Sequence, residues 1–441
     1  MLVLALAELR SRPAAYIGSF LAVAFGVALV SSCGLLLATS IDGAAGTTGE
    51  ARREWTGAIG VFSSMLAVAA FAGVFVVAST FAFAAALRRR KLALLRMIGA
   101  TPRQVRRMLH GEALAVSITG GAVGSAAGVP VAYVFAEAFQ GSADFPADFA
   151  VRPTLLPIAI ALAVGVVVGQ LAAATAARPV ARIDPAEALR ATIVEPRGIG
   201  LVRLLLGVAS LGGGITLLLI GRSLEGGVSI GIAFMDTCLL IVAVALLGPL
   251  PVMPLIRLLG LVLAAAGPLA AQLATANAVA MRRRTASVVA PVVLLVALPA
   301  AMLQTASAFS EQVARGEENV QLWSLSLIVV ITVGFTAIAI SALLAMSLSQ
   351  RAGELRSLRL AGATPAQVRG IMRREGAAVT LAGTAIGLAI AAASVMTFQA
   401  ANGLPADPFS RPAVAVGLAG GAAALVLGAT ELAARRALAT S

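Results

Sequence analysis

Residues 90–112 read RKLALLRMIGATPRQVRRMLHGE, and residues 353–375 read GELRSLRLAGATPAQVRGIMRRE. The two stretches align without a gap at an offset of 263, and both contain the sequence Gly-Ala-Thr-Pro. Each stretch lies between long apolar runs, so each is a polar connection between membrane helices. A repeat at this distance indicates two copies of one structural unit. We call residues 99–112 the first GATP segment and residues 362–375 the second GATP segment.

The composition of the chain is that of an integral membrane protein. Of its 441 residues, 59% are hydrophobic and only 12% are charged, which excludes an ordinary soluble globular domain. Helices of about 20 apolar residues are long enough to cross a bilayer. The sequence therefore predicts an all-α polytopic fold with about ten transmembrane helices, at residues 14–38, 57–87, 111–138, 154–177, 201–220, 228–247, 286–308, 322–349, 376–399 and 412–432.

The basic residues are distributed unevenly between the connections. If the N-terminus is cytoplasmic, 27 of the 33 basic residues lie on the inner side and six on the outer side. This asymmetry follows the positive-inside rule and predicts a multi-pass protein of the cell membrane with both termini in the cytoplasm. The net charge of +13 then indicates a lipid bilayer as the partner, and no nucleic acid is expected.

The duplication predicts the organisation of the whole chain. Residues 1–190 form a first four-helix unit, and residues 269–441 form a second one. Residues 191–268 hold a linker and two extra membrane helices. Because an even number of crossings separates the copies, the two repeats are expected to be parallel.

The outer connections repeat as well. Phe139-Gln140 followed by Arg152-Pro153 matches Phe398-Gln399 followed by Arg411-Pro412, at an offset of 259. Trp55 and Trp323 are each expected just before the second helix of their unit, at the outer interface.

The second helix of each unit is predicted to be long and to end at a GATP segment. No proline occurs from residue 57 to Ile98, and about 40 helical residues would span roughly 60 Å, so the helix should project into the cytoplasm. Gly99 is a helix-ending residue. Thr101, Pro102 and Gln104 suit the N-cap, first helical position and capping box of a following helix. The same pattern recurs in residues 322–361 and at Gly362, Thr364, Pro365 and Gln367.

The short helix predicted after each turn is amphipathic. Its apolar face carries Val105, Met108 and Leu109 in the first copy, and its polar face is basic. One interpretation is an interfacial helix anchored by arginines whose charged groups reach the membrane surface. The other is a docking helix for a cytoplasmic protein, which the duplicated turn favours. The basic face of the first copy carries Arg103, Arg106 and Arg107. In the second copy the apolar face carries Val368, Ile371 and Met372, and the basic face carries Arg369 and Arg373.

These residues resemble the FtsX-like permease family, the membrane subunits of MacB-type ABC transporters, over most of the chain. The resemblance implies a cytoplasmic ABC ATPase as partner, in two copies, which would hold the ATP and Mg²⁺; no cofactor is expected in this chain. The implied ATPase-coupling residues are Arg96, Gly99, Ala100, Thr101, Pro102, Arg103, Gln104, Val105, Arg106 and Glu112, with Arg359, Gly362, Ala363, Thr364, Pro365, Gln367, Val368, Arg369 and Glu375.

The chain departs from its ten-helix relatives in its outer loops. Those relatives carry a large extracytoplasmic domain, whereas the corresponding connections here, residues 39–56 and 309–321, are too short for a domain with its own core. A lipophilic substrate that moves from the membrane to the outside is therefore expected.

The chain carries no recognisable catalytic motif. A phosphate-binding loop requires a Gly-Lys-Ser/Thr sequence, and the only lysine, Lys91, follows three arginines. ATP hydrolysis must then reside in a separate subunit. No metal-ligand or nucleophile pattern occurs, and His110 is expected to be an interfacial residue.

Asp236 is the one acidic residue deep in an apolar span. It is either a substrate or proton contact, or a neutral aspartic acid that hydrogen-bonds a neighbouring helix. Glu112 and Glu375 are expected at helix starts, where they cap dipoles or pair with stalk arginines. Gly120, Gly124 and Gly128, echoed by Gly383 and Gly387, predict close helix packing.

Three functions remain open at this point. The first is a permease subunit that couples an ATPase to export or extraction of a lipophilic or peptide-like substrate. The second is a non-transporting signalling or scaffold protein of the FtsX type, with the same ATPase. The third is an ion-coupled secondary transporter that uses Asp236.

Overall fold

The computed structural model describes residues 17–87, 94, 95, 97, 99–139, 146, 148–181, 200–224, 227–264, 276, 282–313, 333, 334, 362 and 364–439. These residues contain ten helices of 16 residues or more and no strand, which confirms the all-α class. The helices are α1 (Ile17–Ala44), α2 (Gly49–Leu87), α3 (Pro102–Phe139), α4 (Leu155–Ala181), α5 (Leu201–Gly221), α6 (Gly227–Leu247), α7 (Pro249–Ala264), α8 (Arg282–Val313), α9 (Pro365–Ala401) and α10 (Pro412–Ala439).

Nine of the described helices are long and apolar enough to cross a membrane, and the exception is the short helix α7. They coincide with nine of the ten predicted spans. The other predicted span, residues 322–349, lies outside the described residues except for residues 333 and 334. The protein is a multi-pass membrane protein.

The first outer connection is shorter than the sequence indicates. Only residues 45–48 separate α1 from α2, because the polar residues after Gly49 continue the second helix toward its N-terminus. Trp55 therefore lies inside α2 and not before it, which makes that prediction wrong. The Trp55 ring contacts Phe149, with ring centroids 5.6 Å apart. Trp323 and residues 314–321 lie outside the described residues.

The chain divides into two compact units, the first containing α1 to α4 and the second containing α5 to α10. In the first unit α1 packs against α2, α3 and α4. In the second unit α8 packs against α9, α10 and α6, while α5 packs against α6. The extra helices thus pack within the second unit, and the repeat boundaries at residues 190 and 268 stay a prediction.

The repeated outer connection is tied to the first helix of each unit by a similar hydrogen bond. In the first unit the Arg152 N–H donates to Thr39 Oγ1 on α1, at 3.2 Å. In the second unit the Arg411 N–H donates to Gln304 Oε1 on α8, at 3.3 Å, and the Gln304 amide donates to the Arg411 carbonyl, at 3.0 Å. In both units a buried polar side chain therefore provides the hydrogen-bond acceptor for a backbone N–H group just before the fourth helix.

Glycines bring the first and third helices of each unit into close contact. A methyl group on Gly124 would collide with the backbone carbonyl of Ala24 on α1, and one on Gly128 would lie 2.8 Å from the Ala28 carbonyl oxygen. In the second unit a methyl on Gly387 would lie 2.9 Å from Cβ of Val296 on α8. Small residues permit this approach, which gives membrane helices their packing energy.

We predict that Gly124→Ala destabilises the first unit by about 1–3 kcal/mol, because the added methyl forces α3 away from the Ala24 carbonyl. The measurement is the thermal unfolding midpoint of the purified protein in detergent. Gly60→Ala is the matched control, since Gly60 on α2 has open space around it. An equal response of the two variants would contradict the packing argument.

Candidate functional site

The first GATP segment begins with a tight reversal of the chain. Gly99 has a φ of 97°, a left-handed conformation that glycine adopts without steric cost. The Ala100 N–H donates to the Leu95 carbonyl, at 3.0 Å, which is the long hydrogen bond of a Schellman helix end. The helix before the turn therefore ends at this glycine, as predicted.

A reciprocal capping box starts the next helix. The Thr101 N–H donates to Gln104 Oε1, at 2.8 Å, and the Gln104 N–H donates to Thr101 Oγ1, at 3.3 Å. These two bonds satisfy donors that a helix start otherwise leaves unpaired. The predicted capping box is confirmed.

The second GATP segment has the same geometry. Gly362 has a φ of 93°. The Thr364 N–H donates to Gln367 Oε1, at 2.8 Å, and the Gln367 N–H donates to Thr364 Oγ1, at 3.3 Å. Turn and cap are therefore duplicated in structure as well as in sequence. Arg96, Arg359 and Ala363 lie outside the described residues, and nothing is described of the side chains of Pro365 and Val368.

The first segment has a small apolar core of its own. Val105 and Leu109 are buried, and Leu95, Ala100 and Met108 pack against them. The core joins the end of one helix to the start of the next and holds the turn rigid. The opposite face presents exposed side chains of Arg103, Arg106 and Arg107, in agreement with the amphipathic pattern.

The second segment shows the same division into an apolar and a basic face. Met372 is buried and Ile371 is half-buried. Arg369 and Arg373 are exposed. Ala366 and Gly370 stand where the first segment has Arg103 and Arg107, and the second segment has Arg373 and Arg374 instead, so each segment carries three arginines in a different arrangement.

Each GATP segment continues directly into a membrane-spanning helix, which differs from the separate short helix expected. α3 runs unbroken from Pro102 to Phe139, and α9 from Pro365 to Ala401. Glu112 and Glu375 therefore lie near the third turn of these helices. The prediction that they cap the helix dipole is wrong, because that effect is confined to the first turn. Glu112 is buried and Glu375 is half-buried.

A side-chain pair joins each of these helices to the fourth helix of its unit. His110 Nδ1 lies 2.9 Å from Gln170 Oε1 on α4, and the Gln170 amide donates to the His110 carbonyl, at 3.2 Å. In the second unit Arg373, which aligns with His110, lies 3.8 Å from Glu431 on α10. These partners were not predicted, although Gln170 is the only amide side chain in its predicted span.

Asp236 lies in a buried polar cluster between α6 and α9. The Ser394 hydroxyl donates to Asp236 Oδ1, at 2.6 Å, and the Thr237 hydroxyl lies 2.8 Å from Ser394 Oγ. All three residues are fully buried. Asp236 Oδ2 has no hydrogen-bond partner, and no basic group of the described residues forms an ion pair with it. The cluster links α6, one of the extra helices, to α9 within the second unit.

The described residues include no group of three or more side chains suited to hold a metal ion. The geometry of the GATP segments is that of a capped, basic surface fused to a membrane helix. Such a surface can bind a partner and move with it.

Comparison with known proteins finds one family. The model of the FtsX-like permease C-terminal domain matches residues 63–185 and 326–441, together more than half of the chain. Each GATP segment lies wholly within one matched region. A search of curated proteins found no match.

We predict that Thr101→Ala loosens the first turn of α3 by about 1 kcal/mol, because it removes the side-chain acceptor of the capping box. Hydrogen exchange of the backbone amides of residues 102–106 should accelerate about fivefold. Thr119→Ala is the matched control, since Thr119 is an exposed residue in the interior of the same helix. Unchanged exchange at residues 102–106 would show that the cap contributes nothing.

We predict that Asp236→Asn folds and keeps most of the protein's activity, because the amide oxygen can still accept from Ser394. Asp236→Leu should lower the thermal midpoint, since it leaves the buried hydroxyl of Ser394 without its acceptor. A well-folded Asp236→Asn protein that has lost activity would identify the carboxyl group as a substrate or proton contact.

Proposed function

The chain belongs to the FtsX-like permease family, and on that premise we propose that it is the membrane-spanning permease subunit of an ABC transporter. A separate cytoplasmic ATPase, in two copies, docks on the two GATP segments and holds the ATP and Mg²⁺. ATP hydrolysis in those subunits drives the export or extraction of a lipophilic or peptide-like substrate at the membrane.

The observation that carries this proposal is the duplicated, identically capped turn with a basic outer face. A lipid anchor needs an amphipathic helix but has no need of the same left-handed glycine and capping box twice. A docking surface needs a fixed shape, which the capping bonds and the core around Val105 and Leu109 supply. The exposed Arg103, Arg106 and Arg107 give that shape a charge that an acidic surface complements.

The continuity of α3 and α9 provides the route for the motion. Each helix is roughly 55 Å long at 1.5 Å per residue, and the only proline inside either one is Pro130, near the outer end of α3. A displacement of the docked segment therefore moves α9, and α3 as far as Pro130, as one body through the membrane. The pairs His110–Gln170 and Arg373–Glu431 would carry the same motion to α4 and α10.

The orientation follows from the charges. With both termini in the cytoplasm of a cell-membrane protein, the GATP segments face the compartment that contains ATP. The connection of four residues between α1 and α2 leaves no room there for an extracytoplasmic domain. A substrate that enters from the bilayer is consistent with this connection.

The alternatives differ in what they require of the permease. A signalling or scaffold protein of the FtsX type would use the same docking surface without any flux of substrate. A secondary transporter would need Asp236 and no ATPase, but the hydrogen bond of Asp236 to Ser394 favours a packing role. Nucleotide-stimulated flux in reconstituted vesicles separates the transporter from the scaffold.

We predict that charge reversal of both GATP segments abolishes ATPase binding. Arg103→Glu with Arg106→Glu changes the first segment, and Ala366→Glu with Arg369→Glu changes the equivalent positions of the second. Each exposed ion pair contributes only about 0.5–1 kcal/mol, so one altered segment should leave partial binding and both together should leave none. The measurement is pull-down of the ATPase that co-purifies with the full-length permease, together with its nucleotide turnover.

Arg152→Glu with Arg222→Glu is the matched control, because both arginines are exposed and lie in outer connections. Full binding and turnover in the variant with both segments altered would mean that the segments are interfacial anchors. Loss of binding in the control would mean that the protein is oriented the other way.

A further inference from the structure

Helix α7 is too short to cross the membrane. A single residue, Gly248 in a left-handed conformation, separates it from α6. Its 16 residues extend about 24 Å, against roughly 30 Å for the hydrocarbon core. Because α6 is a membrane span, α7 starts at the bilayer boundary.

The junction between α6 and α7 lies beside the N-terminal end of α8, and hydrogen bonds hold it there. The guanidinium of Arg203 on α5 donates to the carbonyls of Ala245 and Leu246, at 2.8 and 2.7 Å, which caps the end of α6. A methyl on Gly248 would lie 3.1 Å from Cβ of Ala286, in the second turn of α8. In the proposed orientation this is the cytoplasmic side.

One face of α7 is covered by protein. Val252 and Ile256 are fully buried and Met253 nearly so, and the helix packs against α8 and α9. Since α9 carries the second GATP segment at its start, α7 lies against the helix that we propose transmits motion from the ATPase.

The outward face of α7 is apolar and carries one cation. Leu250, Leu258 and Leu261 are 56%, 59% and 74% exposed, and they share this face with exposed Arg257. Residues 249–264 contain no acidic residue. If these three leucines stayed in water, each would lose the favourable free energy of transfer from water to an apolar environment, which normally drives such side chains into buried positions. An apolar face with an arginine is typical of a helix at the boundary between headgroups and acyl chains.

We propose that the outward face of α7 binds anionic phospholipid of the cytoplasmic leaflet. The three leucines lie among the acyl chains, and Arg257 contacts the lipid phosphate. Lipid, rather than a protein, fits because the helix continues directly from a membrane span and because α5, whose Arg203 caps the end of α6, also presents exposed leucines, Leu205 among them. The choice of leaflet rests on the proposed orientation; the lipid contact does not.

Nitroxide labels on the permease alone in nanodiscs test the lipid contact. Cys33 and Cys238 are buried and are first replaced by alanine. Labels on Leu258→Cys and Leu261→Cys should collide readily with oxygen and poorly with a water-soluble nickel chelate, as a label on Leu205→Cys does. A label on Arg222→Cys, beyond the end of α5, is the aqueous reference. Nickel access equal to that at Arg222 would overturn the proposal, and so would protection from both reagents, which would indicate a covering protein.

Tryptophan quenching by brominated lipid tests the headgroup contact. Leu258→Trp fluorescence, corrected for the parent protein, should be quenched more strongly by brominated phosphatidylglycerol than by brominated phosphatidylcholine. Arg257→Gln should reduce that preference about fivefold, whereas Arg222→Gln should leave it unchanged. A preference that is absent, or that survives Arg257→Gln, would overturn the role of Arg257. Neither measurement involves the ATPase, so failure here leaves the proposed function standing.

Discussion

The close contact between the first and third helices of each unit is the constraint on which the rest of the structure depends. In a bilayer no exclusion of water drives helices together, so their packing relies on near approach of the backbones. Gly124 permits that approach at the Ala24 carbonyl, and Gly387 does the same at Val296. Once the third helix is fixed in this way, its N-terminal extension, which carries the GATP segment, is fixed with it.

Fusion of the proposed docking surface with a membrane helix would account for the tight turn. A flexible connection would absorb any movement of a bound partner before it reached the membrane. The left-handed glycines and the reciprocal capping boxes remove that flexibility at both segments. The pairs His110–Gln170 and Arg373–Glu431 join the third helix to the last helix of its unit by different chemistry.

The second unit carries additional packing that the first unit lacks. Helices α5 and α6 lie against α8 and α9, and the Asp236–Ser394 hydrogen bond fixes the contact between α6 and α9. Helix α7 then packs against α8 and α9, and Gly248 just before it lies beside the start of α8. The two segments share their backbone geometry but have different surroundings. A partner or a lipid can therefore act on them unequally.

The sequence alone determined the features that depend on neighbouring residues along the chain. Apolar length located the nine described spans, and the Gly-Ala-Thr-Pro pattern located both turns and both capping boxes, because their hydrogen bonds join residues three to five positions apart. Only the tertiary structure decided what depends on helix rotation and packing, such as the partners Gln170 of His110 and Ser394 of Asp236. It also decided that α3 and α9 continue into the membrane. The sequence has no local stop signal after Pro102 or Pro365, but the change from an amphipathic to an apolar pattern does not show whether the helix is continuous there. The N-terminal extension of α2 to Gly49 and the two apolar faces of α7 were likewise beyond the sequence, because polarity along a chain does not reveal which surface another helix will cover.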